Sequence, residues 1–238
     1  MEAWHLATSD GGAVQIRATD RTDGDLRIDG EVAALTERRG RIADRPWVWL
    51  RQAHGADVVV VGPGDDLPAV SGRAADAVVT ARTDVALAVH GADCGVLALS
   101  SPEGVIGAVH AGWRGLEAGV VGEAAAAMRH LGASRIEAVV GPCIGPECYE
   151  FGVGPLERLA DDLGPEVVGT TRAGTPALDV PAALERSLAR AGVEVVGRSG
   201  RCTACAADDL WSFRARGDVG RQAVVVWRQP AAESERAR

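Results

Sequence analysis

The sequence predicts a mixed α/β (α+β) fold in a single domain, a mixed β-sheet flanked by helices. Three observations predict it. Short apolar runs of strand length recur along the chain between segments of helical length. Their alternation is irregular, which disfavours a regular doubly wound sheet. The 238 residues contain no internal repeat and no long linker, so one core suffices.

The elements follow in order. Ala3 to Thr8 and Ala13 to Ala18 form an opening hairpin around Ser9-Asp10-Gly11-Gly12. Asp29 caps a helix from about Gly30 to Ile42. Pro46 to Leu50 and Asp57 to Val61 are strands, the second stopped by Gly62-Pro63-Gly64. After a polar loop from Asp65 to Gly72, Ala77–Thr80 and Val85–Val89 are apolar runs, and Gly91 to Gly95 breaks the chain before Val96–Leu99. Val105 to Val109 is a buried strand closed by His110; a helix runs from Trp113 to about Leu131, where Gly132 stops it. Ile136–Val140 is again a strand. Helices follow near Pro155–Leu163 and Pro181–Ala191, the latter with Asp179 near its start, and Val193–Val196 and Gln222–Trp227 are late strands. The domain spans 1–230, and the polar tail, 231–238, is expected to be disordered.

Composition excludes several classes. No run approaches 18 apolar residues, so no membrane span or membrane partner is expected. The first residues lack a basic segment followed by an apolar one, which implies a cytoplasmic protein. A net charge of −8 argues against phosphate-backbone binding, so no nucleic acid is expected as a partner. All 25 basic residues are Arg. Without Lys there is no Schiff base and no Walker-type lysine, and a bound phosphate falls to Arg, backbone N–H groups or a metal. Five cysteines, an odd number without an export signal, read as reduced thiols.

Three segments share one character: a strand ends, small residues follow, and a metal-capable or acidic side chain is presented. They are Gln52-Ala53-His54-Gly55, Ala92-Asp93-Cys94-Gly95 and His110-Ala111-Gly112-Trp113-Arg114-Gly115. Two imidazoles and a thiolate are a normal donor set for Zn²⁺, and three protein ligands leave one position open. Their spacing alone does not bring them together. Asp93 suits a general acid or base, a group orienting a ligand, or a loop cap. Arg114 suits a phosphate contact or a structural salt bridge, and Gln52 a substrate contact or the closure of its own turn. His90 reads as a packed histidine, and Trp113 and Trp211 as wall and core. Cys202 and Cys205 have redox or zinc-ribbon spacing, but no other CxxC completes four ligands, so no second metal is expected.

RQAHG, ADC, HAGWRG, GPCIGPECYEFG and the late CTAC and GRQA segments occur in the order of the YfiH family, long labelled "laccase domain" or "multicopper polyphenol oxidase". The chain resembles that family from roughly residue 47 onward. It departs from it at Gly95-Val96, where relatives often have a residue followed by Pro, and at Glu147, where many have Cys. The resemblance implies a YfiH-like fold and a zinc-dependent enzyme that phosphorolyses adenosine, inosine, guanosine and methylthioadenosine and deaminates adenosine. It implies His54, Cys94 and His110 as ligands of Zn²⁺, with copper as an adventitious metal. The partners are then a purine nucleoside and phosphate. Asp93, Cys94 and His110 would carry catalysis, Asp93 as the acid that protonates the departing base, with Gln52 and Arg114 binding substrate. Four coppers need about ten imidazoles by the multicopper-oxidase pattern, since imidazole is the usual copper ligand. Five His in all make copper oxidation the poorer reading. Two alternatives stand: a zinc amidohydrolase releasing L-serine from UDP-MurNAc-L-Ser, and a non-catalytic zinc-stabilised binding module.

Overall fold

The computed structural model describes residues 1–231, so the expected tail lies outside the described residues apart from Ala231. The chain opens with β1 (Glu2–Ala7) and β2 (Ala13–Ala18), then α1 (Val32–Ile42), β3 (Trp47–Trp49), β4 (Val58–Val61) and α2 (Leu67–Val70). Strands β5 (Ala77–Thr80), β6 (Ala86–Gly91), β7 (Gly95–Ser100) and β8 (Ile106–Ala111) come next. They lead to α3 (Trp113–Glu117), α4 (Val120–His130) and β9 (Glu137–Val140). The last third holds α5 (Val153–Leu163), β10 (Val168–Thr170), β11 (Pro176–Leu178), α6 (Val180–Arg190), β12 (Glu194–Arg198), α7 (Phe213–Arg216) and β13 (Gln222–Gln229).

The fold class is the mixed α/β one expected, but the strands divide between two main sheets. One has the order β1-β2-β13-β6-β3, the other β12-β9-β7-β8-β5-β4, with β10 and β11 pairing apart. Strand alternation explains the division. Leu87, Val89, Val224 and Val226 of the first sheet bury against Val78, Val96, Ala98, Ile106 and Ala108 of the second. The other face of the second sheet, through Leu97, Leu99 and Val109, packs on Met128, Leu159, Leu184 and Leu188 from α4, α5 and α6. The outer face of the first sheet, through Ala86, Ala88 and Val225, meets Leu35 and Ile42 of α1. The layers run helix, sheet, sheet, helices, each apolar face covered by the next.

Two helix boundaries differ from expectation, each for a local reason. The helix expected to begin at Gly30 starts at Val32, because the longer Glu31 side chain reaches the N–H groups of Ala33 (2.9 Å) and Ala34 (2.8 Å). Asp29 lies nearer Arg27, 3.7 Å away. The helix expected over 113–131 is two, α3 and α4, because Gly119 takes φ +83 between them. Asp179 does cap its helix, accepting from the Ala182 N–H at 2.9 Å. Among the described residues no helix is long and apolar enough to cross a membrane.

The two glycines of this segment have opposite roles. Gly119→Ala places a Cβ in a left-handed residue and lowers unfolding stability by about 1 kcal/mol. Gly122, inside α4 with open space around it, becomes more stable as Ala by about 0.5–1 kcal/mol. Urea denaturation of the two variants checks both signs.

Candidate metal centre

Register brings the donors together. Ala77 of β5 pairs antiparallel with Val109 of β8, so Asp76, one residue before β5, lies beside His110. The backbone confirms it: the His110 N–H donates to the Asp76 carbonyl at 2.7 Å. The Asp76 carboxylate, fully buried, accepts from His110 Nδ1 at 2.8 Å. It also accepts from the successive N–H groups of Ala53 (3.1 Å), His54 (3.0 Å) and Gly55 (2.7 Å). One carboxylate thereby folds the loop that carries His54 and orients His110. Because a carboxylate only accepts, Nδ1 of His110 carries the proton and Nε2 is turned to the centre. Burial alone would raise the Asp76 pKa, but the bonds from His110 and from Gly55 and His54 outweigh it and hold the group below the usual range.

Cys94 arrives on the turn between β6 and β7. Its sulfur stands 3.7 Å from His54 Nε2, and the two imidazole rings meet edge to face with centroids 4.8 Å apart. One donor atom from each of His54, Cys94 and His110 falls within 4.8 Å of the others. Burial pushes the Cys94 thiol up, yet hydrogen bonds from His110 and His54 overcome this and bring it to about 6. Burial likewise opposes a charge on His110, but Asp76 and Cys94 raise it to about 9. Without metal the centre therefore holds a thiolate beside an imidazolium. A metal taking His110 Nε2 would displace the proton there, so its affinity would rise with pH.

Two donor-bearing segments contain non-glycine residues in left-handed backbone: His54 at φ 61 and Asp93 at φ 114. The Asp93 carboxylate accepts from Thr203 Oγ1 and from the Arg214 N–H, both at 2.6 Å. It ties the turn before Cys94 to the late part of the chain. Gly112 closes the approach: a Cβ there would stand 2.6 Å from Cδ2 of His54 and 3.4 Å from the Cys94 sulfur.

The other expected site residues are placed as follows. The Gln52 amide bonds the backbone of β6 in both directions, donating to the His90 carbonyl at 2.7 Å and accepting from the His90 N–H at 2.8 Å. The Arg114 guanidinium lies over the Trp113 ring at 4.3 Å, on the exposed start of α3. The three candidate metal donors open into a cavity of about 700 Å³ that Gln52 also lines, with Arg27, Arg51, His90, Phe213, Val219 and Arg221, while Arg114 lies outside its wall. Sequence reasoning passed over Asp76 and, of the wall residues, Arg27, Arg51, Phe213, Val219 and Arg221. An isolated acid directly ahead of an apolar run, Asp76 before Ala77–Thr80, was the available signal.

Fold and site define a two-sheet α/β protein in which three side chains able to hold a metal, His54, Cys94 and His110, open into a ligand-sized cavity. A family model described as multi-copper polyphenol oxidoreductase laccase matches residues 17–229, and the chain belongs to that family, the YfiH family of its motifs. It is 44% identical to purine nucleoside phosphorylase ORF3 of Streptomyces griseus, covering 86% of this chain and 87% of that one. It is 36% identical to a purine nucleoside phosphorylase of Corynebacterium glutamicum, covering 93% and 92%. Crystal structures of YfiH from Bacillus licheniformis (23% identity, TM-score 0.79, 90% and 92% covered) and YlmD from Geobacillus stearothermophilus (27%, 0.75, 92% and 92%) share the fold.

Three variants test the geometry. Asp76→Asn removes the charge that fixes both histidines and weakens metal binding at this centre about 10- to 100-fold, read by competition with a chromophoric chelator. Gly112→Ala displaces the His54 ring and weakens binding in the same assay while leaving the fold intact by circular dichroism. His90 is buried with neither ring nitrogen hydrogen-bonded, and burial, then the charge of Arg39, holds its pKa at about 3. From pH 6.5 down towards 3 the unfolded chain binds a proton that native His90 refuses, so stability falls across that window. His90→Asn flattens the fall, measured by urea denaturation from pH 7 to 4.

Proposed function

We propose that this chain is a cytoplasmic zinc-dependent purine nucleoside phosphorylase, acting on adenosine, inosine, guanosine and methylthioadenosine and also deaminating adenosine. The observation that supports it most is the convergence of His54, Cys94 and His110 from three separate segments on one metal-sized point at a cavity wall. The names of the S. griseus and C. glutamicum relatives support the phosphorolytic chemistry.

The donor set fits zinc: two imidazoles and a thiolate, with one histidine oriented by a buried carboxylate. When bound by His54, Cys94 and His110, the ion would supply Lewis-acid chemistry at the cavity wall. The chain's own residues do the rest. Asp76 keeps the proton on Nδ1 of His110 and so keeps Nε2 available. Phe213 and Val219, 62% and 66% exposed at the cavity rim, offer apolar surface to a purine base. Arg51 is the phosphate contact: it lines the cavity, and among the described residues its guanidinium makes no ion pair. Asp93, with both oxygens already accepting hydrogen bonds, acts by fixing the Cys94 turn rather than by giving its proton to the base. Copper oxidation finds little support, since this centre gathers only two of the five histidines.

Metal-replete protein incubated with adenosine is expected to give adenine and ribose-1-phosphate when phosphate is present, and inosine when it is absent. Chromatography of the products decides. Cys94→Ala abolishes both reactions, and Arg51→Ala raises the KM for phosphate about 10- to 100-fold, the loss of one charged hydrogen bond. Metal-replete protein that yields no purine product overturns the proposal.

A further inference from the structure

A second group of metal donors lies outside the cavity. Glu147 and Cys148 sit in the short turn Pro146–Cys148 after β9; Cys202 and Cys205 lie in the loop between β12 and α7. One carboxylate oxygen and three sulfurs from these residues all fall within 4.8 Å of one another. The Cys148 and Cys205 sulfurs are 3.5 Å apart, and Glu147 Oε1 is 3.2 Å from Cys205 and 4.0 Å from Cys148. Zinc bound tetrahedrally by three sulfurs and one oxygen, with Zn–S near 2.3 Å and Zn–O near 2.1 Å, spaces its ligand atoms roughly 3.6–3.8 Å apart. The observed spacings straddle that range.

Two donors are aimed at these sulfurs. The Gly145 N–H donates to the Cys202 sulfur at 3.2 Å, and the Arg172 guanidinium to the Cys205 sulfur at 3.1 Å. Three thiolates and a carboxylate leave excess negative charge around a divalent cation, and Arg172 offsets part of it. The CxxC of the late segment lacks a second CxxC, but the fold completes it with an adjacent glutamate and cysteine from the turn after β9.

We propose that Glu147, Cys148, Cys202 and Cys205 form a second metal site, a closed structural centre for a divalent ion of zinc's type. Four protein ligands leave no open position, which is the pattern of structural rather than catalytic zinc. Each thiol that binds releases its proton to solvent. The site holds the loop containing Thr203, which lies between the two cysteines and donates its hydroxyl to Asp93. Arg216 donates to the Thr203 and Ala204 carbonyls and braces the same loop. The second ion therefore fixes, through Thr203 and Asp93, the turn that presents Cys94. The inference is independent of the reaction catalysed at the first centre.

The test uses the full chain with Cys94→Ala, which removes the one thiolate of the first centre. Loaded anaerobically with Co²⁺ in the presence of a reductant, this variant is expected to show thiolate-to-cobalt charge-transfer absorption with tetrahedral d–d bands. Adding Cys205→Ser lowers the charge-transfer band by roughly a third, one thiolate of three. Wild-type protein, which needs no substitution to fold, is expected to hold two equivalents of zinc per chain by elemental analysis. Three results overturn the proposal. They are a Cys94→Ala protein without the charge-transfer band, a band indifferent to Cys205→Ser, and a wild-type mass showing a Cys148–Cys205 disulfide after purification with reductant.

Discussion

The structure of the centre depends on one buried carboxylate. A charged Asp fully removed from water is costly unless its oxygens are all engaged, and Asp76 accepts three backbone N–H groups and an imidazole. Those four donors come from two of the three segments that carry metal-binding side chains. The carboxylate's need for partners and the centre's need for geometry are met by the same bonds. Its position is set by strand register, because β5 and β8 pair so that Asp76 and His110 end side by side.

This constraint explains the strain around it. His54 stands in left-handed backbone because its N–H and those on either side point at one acceptor. Asp93 holds its unusual backbone because Thr203 and Arg214 clamp its carboxylate from the far end of the chain. Gly112 is required where the next segment passes, since any side chain would occupy the space of the His54 ring. Preorganisation here is a set of backbone bonds made before any ligand arrives.

What the sequence disclosed and what it withheld follow the same division. Apolar period and caps are local, so the opening hairpin, the strand that carries His110 and the Asp179-capped helix were readable. Assignment of strands to one sheet or two is not local: the Val- and Ala-rich runs of β5 to β8 look alike, and only pairing sends β6 to one sheet and its neighbours to the other. His54, Cys94 and His110 were singled out by residue type and by motif. Asp76 was not, because its significance lies in a contact across 34 positions of chain. Gln52 is prominent in its motif and lines the cavity, and the structure adds what the motif did not show, that its amide pins the loop to β6.

The absence of lysine sharpens the chemistry of the cavity. Guanidinium is the only side-chain cation available for an anion besides histidine, and three Arg residues line the wall. Arg221 donates to the carbonyls of Asp218, Val219 and Gly220, and Arg27 lies 3.3 Å from Asp25, so both are already engaged in shaping the wall. Arg51 immediately precedes Gln52, so the bonds that pin Gln52 to β6 also fix where this guanidinium begins. On the proposed reading, the phosphate contact Arg51 and the metal donor His54 belong to one loop. The loop is held in two parts: β6 and the Arg73 and Ala75 backbone fix residues 51 and 52, and the buried charge of Asp76 fixes residues 53 to 55.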